Sequence, residues 1–470
     1  MTPFEEYLYY DSLRPGNPAD AVTILKFSGK WEAERFEKAL RAVVSRVPLA
    51  ACCVKEDADG SLRWKKLANL DIRSMIRYFP HSFENSPPPR ELLDLRCEPG
   101  LRFWVYDDIP HEKVTVLFQF HHAITDAVGS FYFLEELFQH YACGTFPQTP
   151  SFSLETMNRW GKVPANRRLV WQMFRQIFHF GIRGWWKQNR QPWELCQKAL
   201  PTSDEPPPHT LLTHAMVEKT FSRDETTAIR QFARQEGITL NDWLMTCVFQ
   251  TFHAWNVAES SPRAAKKRLC RLAMPVNLRD GQRQRVALAN LVSVVFVDAW
   301  LRGKPISLRE RLPQVVATIR HAKRRENVQL FLKELQGLHD LRWGRQYRDW
   351  GMRWFVNRKE ALETAVISNL GILFANKELP TNAEGFLTLG SLRLDDIQLI
   401  SPRTTNVALT IPVGTYAGRL KIHLCYDPHR IRPQTAQFWL QELTTNLRSP
   451  LSAPNSENIR PRLPNVDSSL

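Results

Sequence analysis

The chain has 470 residues and a mass of 54.6 kDa, long enough for two or three ordinary domains with a sizeable core. Hydrophobic residues make up 43% and charged residues 24%, a balance that excludes a disordered or fibrous chain. Lys and Arg total 63 against 48 Asp and Glu, a net charge of +15 that favours anionic partners.

The opening Met1-Thr2-Pro3-Phe4-Glu5-Glu6 has no basic segment running into an apolar one, so no secretory signal is expected. Residues 22–27 are β-rich, and 31–47 read as a helix in which Phe36, Leu40, Val43 and Val47 form one apolar face. Strands are expected over 101–107 and 114–120, then a helix over 131–141. Five prolines between 188 and 214, three of them consecutive (Pro206, Pro207, Pro208), remove backbone donors and mark an extended linker. A strand near 215–221 follows, then two helices separated by Gly237, a stop signal. Further strands are expected over 290–298, 365–374, 407–412 and 419–426. The last alternates Leu420, Ile422, Leu424 and Tyr426 with Arg419, Lys421, His423 and Cys425. Residues 414–418 read as its hairpin turn. From Ser449 onward the chain is rich in Ser, Pro and Asn and reads as a disordered tail.

No apolar run approaches the ~18 residues of a membrane helix. The 8 cysteines are scattered without a C-x-x-C, so no metal site and a reduced, cytoplasmic setting are expected.

The sharpest chemical feature is His121-His122-Ala123-Ile124-Thr125-Asp126, directly after the apolar strand ending at Phe120. Neighbouring side chains on extended backbone point opposite ways, so at most one histidine faces a given site. An imidazole is the natural general base for an alcohol or amine. Two histidines satisfied by backbone carbonyls in an ordinary loop would leave the same trace. No H-E-x-x-H or similar spacing accompanies them.

The H-H-x-x-x-D pattern resembles the signature of the chloramphenicol acetyltransferase-like and condensation-domain acyltransferase superfamily. Further matches follow in family order. Thr2-Pro3-Phe4-Glu5-Glu6-Tyr7 resembles the opening of the wax ester synthase/diacylglycerol acyltransferase type. Gly237-Ile238-Thr239-Leu240-Asn241-Asp242-Trp243-Leu244 is similar to the G-x-T-x-N-D-x-L helix start. Pro275-Val276-Asn277-Leu278-Arg279 with Asn290-Leu291-Val292-Ser293 resembles P-V-N-L-R … N-x-V-S, and Ser368-Asn369-Leu370-Gly371 resembles the late S-N-x-G strand.

The resemblance covers about residues 1–430 and implies an α/β fold of two acetyltransferase-like subdomains, a pseudo-dimer around a central tunnel. Residues 1–187 would form the N-terminal subdomain and 215–448 the C-terminal one, joined by the linker 188–214 and followed by the tail 449–470. Carried over residue by residue, His122 is the general base in a direct transfer without covalent intermediate. His121 and Asp126 would order the site, Asp126 counting among the catalytic-motif residues. Ser368 and Asn369 are candidate supporting donors for the oxyanion, or merely strand-end residues. Asn277 and Arg279 read as loop-ordering residues, and Asn241 and Asp242 as helix caps. No bound cofactor is implied. The co-substrate would be a coenzyme A thioester or an acyl carrier protein, the acceptor an alcohol or amine.

Two departures stand out. Ala127 occupies the position after the motif Asp where Gly is usual. Arg46-Val47-Pro48-Leu49-Ala50-Ala51 resembles R-H-P-x-L-R without the second Arg that partners the Asp in some members, leaving Asp126 without an identified cation. Rings and cations alternate in 168–190 and 340–359, which suits either a lipid interface or helices packing rings inward, so a peripheral membrane contact stays open. No nucleic-acid-binding motif accompanies the dispersed basic residues. The favoured expectation is acyl-CoA-dependent O-acylation of the lipid-ester type. The rivals are a carrier-protein-dependent, amide-forming condensation enzyme and a catalytically silent scaffold.

Overall fold

The computed structural model describes residues 1–14, 19–58, 60–89, 91–146, 192–195, 215–259, 267–279, 285–340, 350–358, 360–402 and 406–451. The Pro-rich linker (apart from 192–195), the ring-and-cation stretch 168–190 and the tail beyond 451 lie outside them.

In chain order the first half comprises α1 (Pro3–Ser12), β1 (Asp20–Ser28), α2 (Ala33–Arg46), β2 (Cys52–Glu56), β3 (Leu62–Lys66), β4 (Ile76–Phe79), β5 (Leu101–Asp108), β6 (Lys113–His121) and α3 (Ala127–Cys143). The second half begins with β7 (Ala215–Thr220), α4 (Arg223–Gln235), α5 (Leu240–Glu259), β8 (Arg268–Asn277) and β9 (Val292–Leu301). It continues with α6 (Leu308–Ala322), α7 (Arg325–Asp340), α8 (Trp350–Val356) and β10 (Ala365–Ile372). It closes with β11 (Thr388–Leu389), β12 (Leu392–Ile400), β13 (Leu409–Tyr416), β14 (Arg419–Tyr426) and α9 (Pro433–Arg448).

Two six-stranded sheets carry the molecule, ordered β11-β12-β1-β6-β5-β4 and β7-β14-β13-β10-β8-β9, with β2-β3 a separate hairpin. The sheets do not divide at the Pro-rich stretch. β12 pairs antiparallel with β1, Val22 opposite Ile400 through Ser28 opposite Arg393, so residues 388–400 complete the first sheet. The sequence hides β12 because Asp395 and Asp396 interrupt its alternation. Asp396 also explains why β14 is buried on both faces rather than half-solvated as its alternation implies. The Lys421 ammonium sits 2.7 and 2.8 Å from the two Asp396 oxygens and 3.2 Å from Glu218, and His423 lies 3.4 Å from Glu218. Paired in this way, charged residues can occupy an interior face. Ala417 and Gly418 both have positive φ (46° and 76°), a two-residue hairpin loop whose twist suits the flanking strands.

Beneath β6, the rings of Phe103, Phe118 and Phe133 stack in sequence with centroids 4.9 and 5.7 Å apart, all fully buried. Each such burial contributes roughly 1.5–3 kcal/mol, which makes the strand ending at His121 a rigid platform. Among the described residues no helix is long and apolar enough to cross a membrane. Trp354 on α8 is 63% exposed, whereas residues 341–349 of the second ring-and-cation stretch lie outside the described chain.

Candidate active site

β6 ends at His121, which pairs with Asp20 on β1, and the chain then turns through Thr125 into α3. The two histidines part as the strand geometry requires. His121 is buried, and its Nδ1 accepts from the Ala123 amide at 3.1 Å. Burial, aided by neighbouring His122, depresses its pKa to about 3, so it is neutral. His122 is half-buried, and its Nδ1 lies 3.0 Å from the Thr125 carbonyl. A carbonyl only accepts, so Nδ1 carries the proton. Burial also lowers the His122 pKa, opposed by the Asp126 charge and the Thr125 hydrogen bond. The result is a neutral ring with the Nε2 lone pair uncommitted to Thr125.

Asp126 caps α3. Its Oδ1 accepts from Gly129 N at 2.8 Å, while Oδ2 accepts from Arg279 Nη1 at 2.9 Å and from Leu291 N at 2.7 Å. Both partners of the ion pair are buried, 4% and 7% exposed. Arg279 is therefore the cation missing from the 46–51 segment, supplied instead by the second half. Asp126 is a motif residue whose carboxylate is fully committed to backbone and guanidinium. Arg279 also donates to the Ala289 carbonyl at 3.0 Å and to Asn277 Oδ1 at 3.3 Å, and Asn277 Oδ1 accepts from the Arg279 amide at 3.0 Å. Through these bonds Asn277 and Arg279 tie their own loop to the Asp126 carboxylate and the Ala289 backbone.

Asn290, the first residue of the N-x-V-S match, donates its Nδ2 to the carbonyls of both His122 and Ala123, at 2.9 Å each. An asparagine in an N-L-V-S run carries no local signal of this role, because its partners lie in the other half. Leu288, fully buried at φ +47°, donates its amide to Gly129 O, so a left-handed non-glycine residue is held by packing beside the motif.

Ala127 is the first residue of α3 and has ordinary helical backbone, so the position does not need glycine. The close approach falls two residues later. A Cβ on Gly129 would meet Thr125 Oγ1 at 2.5 Å, Arg279 Nη2 at 2.9 Å and the Ala289 carbonyl at 3.0 Å. Gly129→Ala is accordingly expected to lower stability by ~1–3 kcal/mol, the range for overpacking, whereas Ala127→Gly stays within ~1 kcal/mol. Chemical denaturation of the two variants checks the contrast; equal effects would contradict the packing argument.

The remaining candidates lie elsewhere. Ser368 and Asn369 sit on β10 of the second sheet, opposite Pro412 and Val413. Asn369 Oδ1 accepts from Gly371 N at 3.0 Å, a local turn, and no described hydrogen bond joins either residue to the His122 loop. At α5 the cap is Thr239: its Oγ1 accepts from Asp242 N at 3.1 Å, and Asp242 reaches back to Thr239 N at 2.9 Å. Asn241 is not a cap, since its side chain points to Met274 Sδ at 2.9 Å.

The family model of the condensation domain matches residues 21–261, which span the His122 loop, α3 and α5. No curated protein matches the sequence. Several solved structures share the fold. Polyketide synthase associated protein 5 from Mycobacterium tuberculosis is 14% identical, with 95% of this chain and 97% of that one covered at a TM-score of 0.59. The starter condensation domain of rhizomide synthetase, solved with C8-CoA, is 12% identical, with 96% and 94% covered at 0.64. Trichothecene 15-O-acetyltransferase from Fusarium sporotrichioides is 12% identical, with 94% and 93% covered at 0.64.

Proposed function

The chain belongs to the condensation-domain family, with its two acetyltransferase-like subdomains, and from that premise we propose that it transfers an acyl group from a coenzyme A thioester to an alcohol. The observation that carries the reading is the tautomer of His122. With Nδ1–H committed to Thr125, the Nε2 lone pair is left to take a proton from an acceptor hydroxyl.

The alcohol oxygen attacks the thioester carbonyl carbon as its proton passes to Nε2, giving a tetrahedral oxyanion. The oxyanion collapses, the carbon–sulfur bond breaks, and the imidazolium returns the proton to the departing thiolate. The ester and a free thiol leave, and His122 is neutral again. Asp126, Arg279 and Asn290 position the loop without touching the reacting atoms. Donors to the oxyanion are worth roughly 3–4 kcal/mol each; the amides of His122, Ala123, Ile124 and Asp126 are already given to Ala19, His121 and Ala289, so the loop does not offer them freely.

The test is thiol release from acyl-CoAs of short to long chain, with alcohols and amines as acceptors. Acceptor-dependent release supports the reading, and the preferred acyl chain places it as a lipid or a small-molecule enzyme. Release from an acylated carrier protein but not from free acyl-CoA would replace it with the amide-forming alternative, which draws support from the synthetase condensation domains of the same fold. No release from either donor would favour a silent scaffold.

The pH dependence has a definite sign. The base works unprotonated, and burial holds its pKa below the ordinary imidazole value. The rate is expected to be flat through neutrality and to fall only on acidification below about pH 6.5. An acid limb in kcat/KM at or above that value would remove His122 from the base role.

A further inference from the structure

At the end of β9 remote from the His122 loop, the sheet edge, α5 and α6 enclose a cavity of about 480 Å³. Trp300 lies eight positions beyond Val292, about 26 Å of extended strand, so the cavity is a separate place in the fold. Its walls include Arg311, Lys267, Arg302, Trp300, Gln314 and His253, with Val297, Ile306 and Val315 supplying apolar surface.

Arg311 is the unusual group. It is 4% exposed, and the acceptors it meets are neutral: Gln250 Oε1 at 2.8 Å from Nε, and His253 Nδ1 at 2.5 Å from Nη2. His253 Nε2 lies 3.2 Å from the Gly303 carbonyl, which fixes that nitrogen as the donor and Nδ1 as a lone pair facing Arg311. Burial and the Arg311 charge both lower the His253 pKa, so this neutral arrangement is the stable one.

Among the described residues no carboxylate pairs with Arg311. The acid in the wall, Asp298, is already held by Arg271 at 2.8 and 2.9 Å. A nearly buried guanidinium without a counter-charge is costly, and an anion entering from the cavity would offset that cost. Lys267, 4.6 Å from the centre of the Trp300 ring, and exposed Arg302 add two further cations. Three cations match a dianion better than a monoanionic carboxylate. The volume exceeds that of a bare phosphate and leaves an aromatic and aliphatic wall for an organic body.

We propose that this cavity binds a phosphate monoester, its phosphate against Arg311, Lys267 and Arg302 and its organic part against Trp300 and Val315. The proposal is independent of the acyl-transfer reading.

Isothermal titration of the full-length chain with phenyl phosphate, inorganic phosphate and benzoate, at matched ionic strength, tests it. One phenyl phosphate per chain is expected, bound more tightly than inorganic phosphate and much more tightly than benzoate. Lys267→Ala should weaken it about tenfold, the loss of one charge-assisted contact. Arg311→Met should abolish it. Gln314→Glu, on an exposed helix position, brings a carboxylate to the wall and should also abolish it, so the test survives if Arg311→Met fails to fold. Absence of saturable phosphate binding, equal affinity for benzoate, or affinity unchanged in Lys267→Ala and Gln314→Glu would overturn the assignment.

Discussion

Replacing His122 with alanine is expected to slow acyl transfer by ~10²–10⁴-fold, the usual contribution of a positioned general base. The fold should survive, because the ring is half-buried and the loop's backbone is held without it. Asn290 grips the His122 and Ala123 carbonyls, and the His122 amide donates to Ala19 O at 2.8 Å. His122→Gln keeps a polar side chain but no comparable base, and should be similarly slow. Single-turnover rates together with circular dichroism separate the outcomes: a folded, slow variant supports the base role, and an unfolded one points to a structural histidine. A folded variant at wild-type rate would end the proposed chemistry.

The second large effect concerns the pair that joins the halves. Arg279→Met leaves the Asp126 carboxylate buried with two backbone amides and no cation, and should cost ~3–5 kcal/mol. Arg279→Lys keeps the charge but cannot reproduce the fork that meets Asp126, Asn277 and Ala289 together, so it should recover only part. Asp126→Asn combined with Arg279→Met removes both charges and should be less harmful than the two single changes added together. Denaturant titration gives the stabilities. If these residues act only by holding the loop, the fully folded fraction of each variant keeps its kcat. A folded variant with a depressed kcat would place Asp126 nearer the chemistry than its hydrogen bonds do.

The periodic elements were legible because their residues answer to local rules. The apolar face of α2 and the alternation of β14 follow from side-chain direction alone. The helix stop at Gly237 is likewise local, its φ of +64° being one that glycine adopts freely. The histidine pair alone was not decisive, since an ordinary loop with both imidazoles bonded to carbonyls leaves the same trace; the spaced motif matches that follow it were what pointed to chemistry. What stayed hidden depends on distant residues. Arg279 could be placed in a loop but not against Asp126, 153 positions earlier in the chain. β12 lost its strand signal to two aspartates, one of which, Asp396, finds its partner Lys421 in another sheet, while Asp395 is held by Arg393 and Ser28. Asn241 looked like a cap by residue type, and only the three-dimensional turn gives that task to Thr239.

The pairing of β12 with β1 also bears on how the protein is made. β1 leaves the ribosome early, but the strand that covers its outer edge follows nearly four hundred residues later. At ~5–20 residues per second the wait is roughly 20–75 s, during which the nascent first sheet presents an unpaired edge. The first half cannot mature ahead of the second, and a ribosome stalled before residue 400 holds a chain primed for strand-edge aggregation. Vectorial synthesis thus makes the protein dependent on whatever shields that edge, and a gene split at the Pro-rich stretch would yield two fragments that must find each other before the first sheet is whole, although the second fragment carries every strand of the other sheet.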